Sequence, residues 1–308
     1  MSGTMKAVVI REYGSNDVVR IEEVDRPEPG NGEMLVNVQA AGVNPIDWKI
    51  RSGAGQRLGM ILPLRMGGEC VATVEKLGAG VDGFKQGDAV FGMVRAGAFA
   101  EYVVVKAADL VRTPPSLDFI QAAALPLAGT TAWQAIFEKA GLAAGQRLLV
   151  TNSSGGVGSL AVQFAKARGA HVTAVASARN EKFVRSLGAD EFVDYTRGPF
   201  EHAAHDMDVV LDTVGGETFQ RAFKTLKTGG FMVTVVAFPN GEAERHNVGA
   251  TRSNTLPSAQ NLTEIKRLVE SGQVKPHVEA VFPLAEIKAA LALSEAGRTV
   301  GKIVLSLV

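Results

Sequence analysis

One cysteine, Cys70, among 308 residues excludes an internal disulfide and any zinc site built from several thiolates. Histidine is nearly as scarce. Five occur and the first is His171, so the first 170 residues offer no imidazole. Net charge is also missing, with 32 Lys+Arg against 32 Asp+Glu, which removes the electrostatic reason to expect a nucleic-acid or anionic-membrane partner. The opening residues, Met-Ser-Gly-Thr-Met-Lys-Ala-Val-Val-Ile, lack the long apolar stretch and small-residue cleavage site of a secretory signal. Gly3 stands one position too late for N-myristoylation. Uncharged runs at 119–137 and 148–165 contain glycines and polar side chains, and Pro126 splits the first, so both read as buried interior rather than membrane spans. A soluble, cytoplasmic protein with no membrane and no nucleic-acid partner is expected.

Apolar residues make up 46% of the chain and charged residues 21%, an ordinary globular composition at a length that suggests two domains. The first 110 residues alternate short Val-rich runs (6–10, 33–41, 71–77, 89–94, 98–105) with turn signals such as Pro27-Glu28-Pro29-Gly30 and Gly78-Ala79-Gly80, the pattern of a small β-barrel. From about Pro126 strands at 146–151, 171–176, 191–195, 208–213 and 231–236 alternate with helical stretches at 158–168, 181–187 and 217–226. That alternation predicts βαβ units and a doubly wound parallel sheet, an α/β Rossmann domain. A helix near 261–271 precedes β character at 278–282 and 302–308, a tail expected to return to the first domain. The expected division is a barrel-like domain at 1–125 and 267–308, and a dinucleotide-binding domain at 126–266.

Between the strand at 146–151 and the next helix lies Ser153-Ser154-Gly155-Gly156-Val157-Gly158, a variant of the dinucleotide fingerprint with Ser153 at the first glycine position. Gly155 would let backbone approach a pyrophosphate, Gly158 would let helix pack on strand, and the free N–H groups at the helix start would hold phosphates. A ligand-free tight turn also needs glycine. The end of the second strand selects the dinucleotide. It reads Ser177-Ala178-Arg179-Asn180, with no carboxylate for a ribose 2′-OH and a guanidinium suited to a 2′-phosphate. NADPH is the expected cofactor, unless Arg179 is only a solvated helix-start residue.

The chain resembles the zinc-independent quinone oxidoreductase branch of the medium-chain dehydrogenases/reductases, the group of zeta-crystallin and the plant enone reductases. The resemblance runs through Ala41-Gly42-Val43-Asn44-Pro45-Ile46-Asp47-Trp48-Lys49, Gly67-Gly68-Glu69, Gly87-Asp88-Ala89-Val90, Ala122–Ala132, the 154–158 turn, Leu187-Gly188-Ala189-Asp190 and Gly301-Lys302-Ile303-Val304. It implies a GroES-like catalytic domain, a Rossmann domain, a cleft between them and a homodimer. Zinc-dependent members carry a Cys at the position of Asn44 and a His at that of Gly68, so the resemblance implies that no metal is held here. It also places Thr131 near the nicotinamide ribose, Ser177, Arg179 and Tyr195 around the 2′-phosphate, Thr213, Val214 and Val236 on the nicotinamide side, and Lys302 at the cleft.

Without a Lewis acid an alkoxide is hard to stabilise, whereas a quinone or α,β-unsaturated carbonyl accepts hydride into a conjugated system whose oxygen needs only hydrogen-bond donors. Asn44, in the corner where the metal would be, is either that donor and nicotinamide-positioning group or a loop-capping amide before Pro45. Thr131 is either a catalytic-site hydroxyl or an ordinary helix residue. Asp47 and Lys49 either form a solvated pair or line the cleft, and Cys70 reads as a small buried hydrophobe. No Tyr-Lys or His relay is visible, so water is the expected proton source. The expected function is NADPH-dependent reduction of a small-molecule quinone or of the C=C of an enone. The alternatives are an enoyl-thioester reductase, with Arg51, Arg57 and Arg65 as contributors to a basic lip for its carrier, and a non-catalytic NADPH-binding sensor.

Overall fold

Short segments, several of them rich in valine and alanine, build the first eight strands. They are β1 (Thr4–Ile10), β2 (Arg20–Asp25), β3 (Glu33–Val43), β4 (Leu64–Arg65), β5 (Glu69–Leu77), β6 (Ala89–Met93), β7 (Tyr102–Lys106) and β8 (Leu110–Arg112). The computed structural model describes residues 3–308. Six strands of the second half follow, β9 (Arg147–Val150), β10 (His171–Ala176), β11 (Glu191–Asp194), β12 (Met207–Asp212), β13 (Leu226–Thr234) and β14 (Gly249–Arg252). The tail adds β15 (Val278–Pro283) and β16 (Lys302–Ser306).

The chain divides into two units. The first comprises Met1–Leu127, Pro257–Lys266 and Pro276–Val308. Its larger sheet runs β15-β16-β3-β5-β6-β8, with β7 also on β3, and a small sheet runs β2-β1-β4. The tail returns as expected: β16 lies antiparallel to β3, with Ile303 opposite Val43. Val8, Val36, Ala72, Phe99 and Leu305 are among the residues of one continuous core, whose burial is the main stabilising term. The expected strand at 98–105 begins only at Tyr102. Gly97, at φ +95, turns the chain so that Phe99 N–H donates to Met66 O while Phe99 O accepts from Val8 N–H.

The second unit comprises Ala128–Leu256 and Arg267–Lys275. Its sheet is parallel throughout, ordered β11-β10-β9-β12-β13-β14, the doubly wound order whose direction of build reverses between β9 and β12. Its inner strands β9, β10 and β12 are mostly buried, as a covered parallel sheet requires, and Leu149, Val175, Val210 and Met232 pack with Phe200, Phe219 and Phe223. Relative to the expected boundary at 266, residues 257–266 lie with the first unit and 267–275 with the second, so the helix Ala259–Glu270 contributes to both. No helix among the described residues is long and apolar enough to cross a membrane.

Candidate active site

In the first unit the motif residues converge on a buried polar corner. Asn44 closes the end of β3, Glu69 opens β5 and Lys302 opens β16. These three strand ends meet because β16 pairs with β3 on one side and β5 pairs with it on the other. Lys302 Nζ donates to Glu69 Oε1 at 2.9 Å, to Val43 O at 3.3 Å and to Asn44 Oδ1. Asn44 Nδ2 donates to Glu69 Oε1 at 2.6 Å and to Gly42 O at 3.3 Å, and Glu69 Oε2 accepts from Leu127 N–H at 2.6 Å. Glu69 is fully buried and Asn44 and Lys302 nearly so. Gly42 is the residue that admits Glu69, since a Cβ there would lie 2.0 Å from Oε1.

This network commits the polar groups of both the Lys302 and Asn44 side chains. Lys302, an ammonium with three N–H donors, has all three committed inside the corner. Asn44 likewise has both N–H groups engaged, leaving none for a substrate oxygen. The ammonium fixes the amide orientation, and both residues serve as struts. Asp47 is also buried rather than part of a solvated pair with Lys49, and its Oδ2 accepts from Asn44 N–H at 2.8 Å. Burial pushes the Asp47 carboxyl up to about 7, against the opposing pull of the Asn44 hydrogen bond and the Lys302 charge, while Glu69 adds to the rise. Cys70 is buried and unpaired, its thiol pushed up to about 12 by burial. Arg51, offered above for a basic lip, is itself buried and donates to Asn16 Oδ1 and Glu295 Oε2, both at 2.9 Å, so it cannot line one. Among the described residues no group of three His, Cys, Asp or Glu side chains could hold a metal ion.

In the second unit the 154–158 turn joins β9 to the 12-residue helix Gly156–Ala167, with Gly155 at its N-cap. Asn152 takes the left-handed conformation at φ +47. A Cβ on Gly158 would lie 2.3 Å from Asn152 O and 2.9 Å from Ser153 Cα, so the close approach of helix to turn requires glycine there. Ser154 Oγ accepts from Asn180 Nδ2 at 2.8 Å, tying the turn to the loop after β10. The helix start presents its backbone N–H groups as an anion site. These features fit the pyrophosphate of a dinucleotide.

The loop after β10 carries Ser177 and Arg179, and Arg179 projects into solvent with no recorded partner among the described residues. Tyr195 follows β11 and donates its backbone N–H to Ala176 O at 3.3 Å, which places its backbone beside Ser177. An unforeseen acid lies next to them. Asp194 Oδ1 accepts from Ala178 N–H, Thr196 N–H and Thr196 Oγ1, and Arg197 Nε stands 3.3 Å from its Oδ2. The Thr196 hydroxyl foremost holds this carboxyl below its usual range. A cavity of about 410 Å³ opens here, lined by Ala178, Glu181, Asp194 and Arg197 among others.

A second missed residue organises the other half of the sheet edge. Fully buried Asp212 ends β12. Its Oδ1 accepts the N–H groups of Val214 and Gly215, and its Oδ2 accepts Thr234 Oγ1 at 2.7 Å. Thr213 is tied to Thr151 by two hydrogen bonds, and a Cβ on Gly215 would lie 3.2 Å from a Val236 methyl. Thr213, Val214 and Val236 are therefore gathered at the carboxyl ends of β12 and β13, where doubly wound sheets bind ligands. Thr131 is buried, its Oγ1 2.7 Å from Thr255 Oγ1. An acid closing a strand just before Thr-Val-Gly-Gly was the available signal for Asp212.

Comparison with known proteins agrees with this architecture. Residues 30–115 match the alcohol dehydrogenase GroES-like domain, and residues 187–305 match the zinc-binding dehydrogenase family. The chain is 34% identical to the mitochondrial NAD(P)H oxidoreductase RTN4IP1 of Danio rerio, over 98% of this chain and 91% of that protein. It is 35% identical to the chloroplastic NADPH-dependent alkenal/one oxidoreductase of Arabidopsis thaliana, over 98% of this chain and 79% of that protein. The solved structure of the quinone oxidoreductase from Coxiella burnetii superposes with a TM-score of 0.94 at 32% identity, covering 99% of this chain and 100% of that one.

Proposed function

The chain belongs to the quinone oxidoreductase and alkenal/one oxidoreductase family of medium-chain dehydrogenases/reductases, and on that premise we propose that it reduces quinones or conjugated enones with NADPH and without a metal ion. That it is a nicotinamide-dependent oxidoreductase follows from the family. The observation that carries the choice of NADPH is the loop after β10, where Ser177, an unpartnered Arg179 and the adjacent Tyr195 offer hydroxyls and a guanidinium to a 2′-phosphate, which Arg binds by charge-assisted hydrogen bonds. Two carboxylates stand nearby and both are already engaged: Asp194 by Thr196, Ala178 and Arg197, and Glu181 by Arg185.

The metal-free reading rests on donor chemistry. At the corner of Asn44 and Glu69 stand an amide and the Lys302 ammonium, a poor set for a divalent cation. When bound, the cofactor supplies a hydride equivalent to the acceptor. On an enone the new C–H bond forms at the β-carbon, the π pair moves onto the carbonyl oxygen, and a proton from water completes the product. The residues of the chain bind and orient, through the Gly155–Gly158 turn for the pyrophosphate and the Asp212-braced loops for the far half. We include in the proposal a homodimer, as the family resemblance implies, and a reducing compartment such as the cytoplasm, which suits a single buried, unpaired Cys70.

The test is NADPH oxidation against a panel of quinones, alkenals and enones, with product analysis. A saturated carbonyl selects alkene reduction and a hydroquinone selects quinone reduction. Absence of turnover on every acceptor contradicts the proposal.

A further inference from the structure

Five arginines among the described residues are not fully exposed, Arg26, Arg51, Arg147, Arg221 and Arg252. Four of them are paired with a carboxylate, Glu75, Glu295, Glu191 and Glu201 respectively. Arg252 is the exception: no acid or hydrogen-bond acceptor is recorded for it, and its Nε is buried without a partner. A half-buried cation with no counter-charge is costly to keep. Its guanidinium carbon stands 4.0 Å from the ring centroid of Phe238, a cation–π contact that steadies the group.

The position points to a role. Arg252 is the last residue of β14, in register with Thr234 at the end of β13, so it lies at the carboxyl edge of the sheet on the half beyond the switch point. The loops after β12, β13 and β14 expose three large apolar side chains in succession, Val214 at 49%, Phe238 at 75% and Leu256 at 66%. Exposed apolar residues on neighbouring loops, with one unpaired cation among them, suit a flat, conjugated molecule bearing a polar oxygen. Beside Arg252, buried Ser253 Oγ also lacks a partner.

We propose that Arg252, braced by Phe238, donates to the oxygen of the quinone or enone on which negative charge develops as hydride arrives. The inference rests on the function proposed above and supplies the donor that Asn44 and Lys302, with their N–H groups committed, do not. A fixed guanidinium at that oxygen stabilises the enolate or hydroquinone anion more than the neutral acceptor, so it acts on the chemical step.

The experiment compares wild type with Arg252→Ala, Arg252→Lys and Phe238→Leu. It reads kcat/KM for one quinone and one enone, the Kd of NADPH by fluorescence, and rescue by added guanidinium chloride at concentrations below those that shift Tm. The expected result is a loss of roughly 100-fold in kcat/KM for Arg252→Ala, the scale of removing one oxyanion donor. NADPH Kd should stay within about twofold, and guanidinium should restore activity to Arg252→Ala but not raise that of wild type. Arg252→Lys should be intermediate and Phe238→Leu should lose less, both with native Tm. Activity of Arg252→Ala within threefold of wild type, a parallel loss of NADPH affinity, or no guanidinium rescue would each overturn the assignment. Should wild type itself fail on every acceptor, the underlying function is wrong. Should wild type turn over while Arg252→Ala matches it, only this inference fails.

Discussion

Lys302 Nζ lies 2.9 Å from Glu69 Oε1, joining the first residue of the tail strand to the first residue of β5, with both side chains withdrawn from solvent. An ion pair buried this completely is held by its hydrogen bonds, to Asn44, Val43 O and Leu127 N–H, as much as by its charges. Removing one partner leaves the other charged and unpaired. Lys302→Met should therefore lower stability by about 3–5 kcal/mol, measured by urea denaturation, and adding Glu69→Gln should recover part of the loss. A Lys302→Met variant as stable as wild type would show that the pair does not hold these strand ends together.

Asp47 gives that corner a pH dependence of definite sign. Its folded pKa, raised from 3.8 to about 7 by burial, means that the folded state holds a proton the unfolded chain has already released. Stability from this group is fully present below pH 4 and declines as pH rises toward 7, by at most about 1.4 kcal/mol per pH unit. Carboxylates held low by hydrogen bonds and ion pairs, such as Asp88 and Glu201, act in the opposite sense, losing stability as pH falls. The Asp47 contribution is isolated by Asp47→Asn, whose advantage over wild type should grow from pH 4 to 7. A difference independent of pH contradicts it.

The turn after β9 is equally testable. Gly158→Ala places a methyl group 2.3 Å from Asn152 O and should cost about 1–3 kcal/mol of stability through overpacking. NADPH affinity should fall as the helix start moves away from the turn. Unchanged stability and binding would mean that the turn is not close-packed.

At the other end of the proposed cofactor, Arg179→Ala should lower kcat/KM for NADPH by roughly 10- to 100-fold, the worth of a charge-assisted contact, and leave NADH nearly unaffected. Equal losses for both cofactors would remove the 2′-phosphate role.

Much of this was legible in the sequence because it is written in local chemistry. The strand at 171–176 is observed as His171–Ala176, since a short Val- and Ala-rich run set among alternating helices reads as a covered strand, and the Gly155–Gly158 turn announced the helix that begins within it. Tail-to-barrel pairing was readable from a late return to β character. What escaped depends on side chains that only folding brings together. Asn44 carries no mark that its amide faces Glu69, 25 residues away, and Lys302, 258 residues away. The four residues of β14 are too few and too partly buried to show a period, so Arg252 had no strand end to belong to. Asp194 and Asp212 look like ordinary acids until the neighbouring loops donate to them.

The most direct test is NADPH oxidation by chelator-treated protein whose zinc content is verified to be far below stoichiometric, assayed with a quinone and an enone. The account predicts turnover equal to that of untreated protein and no increase when zinc is added. Activity lost on chelation and restored by zinc would contradict it.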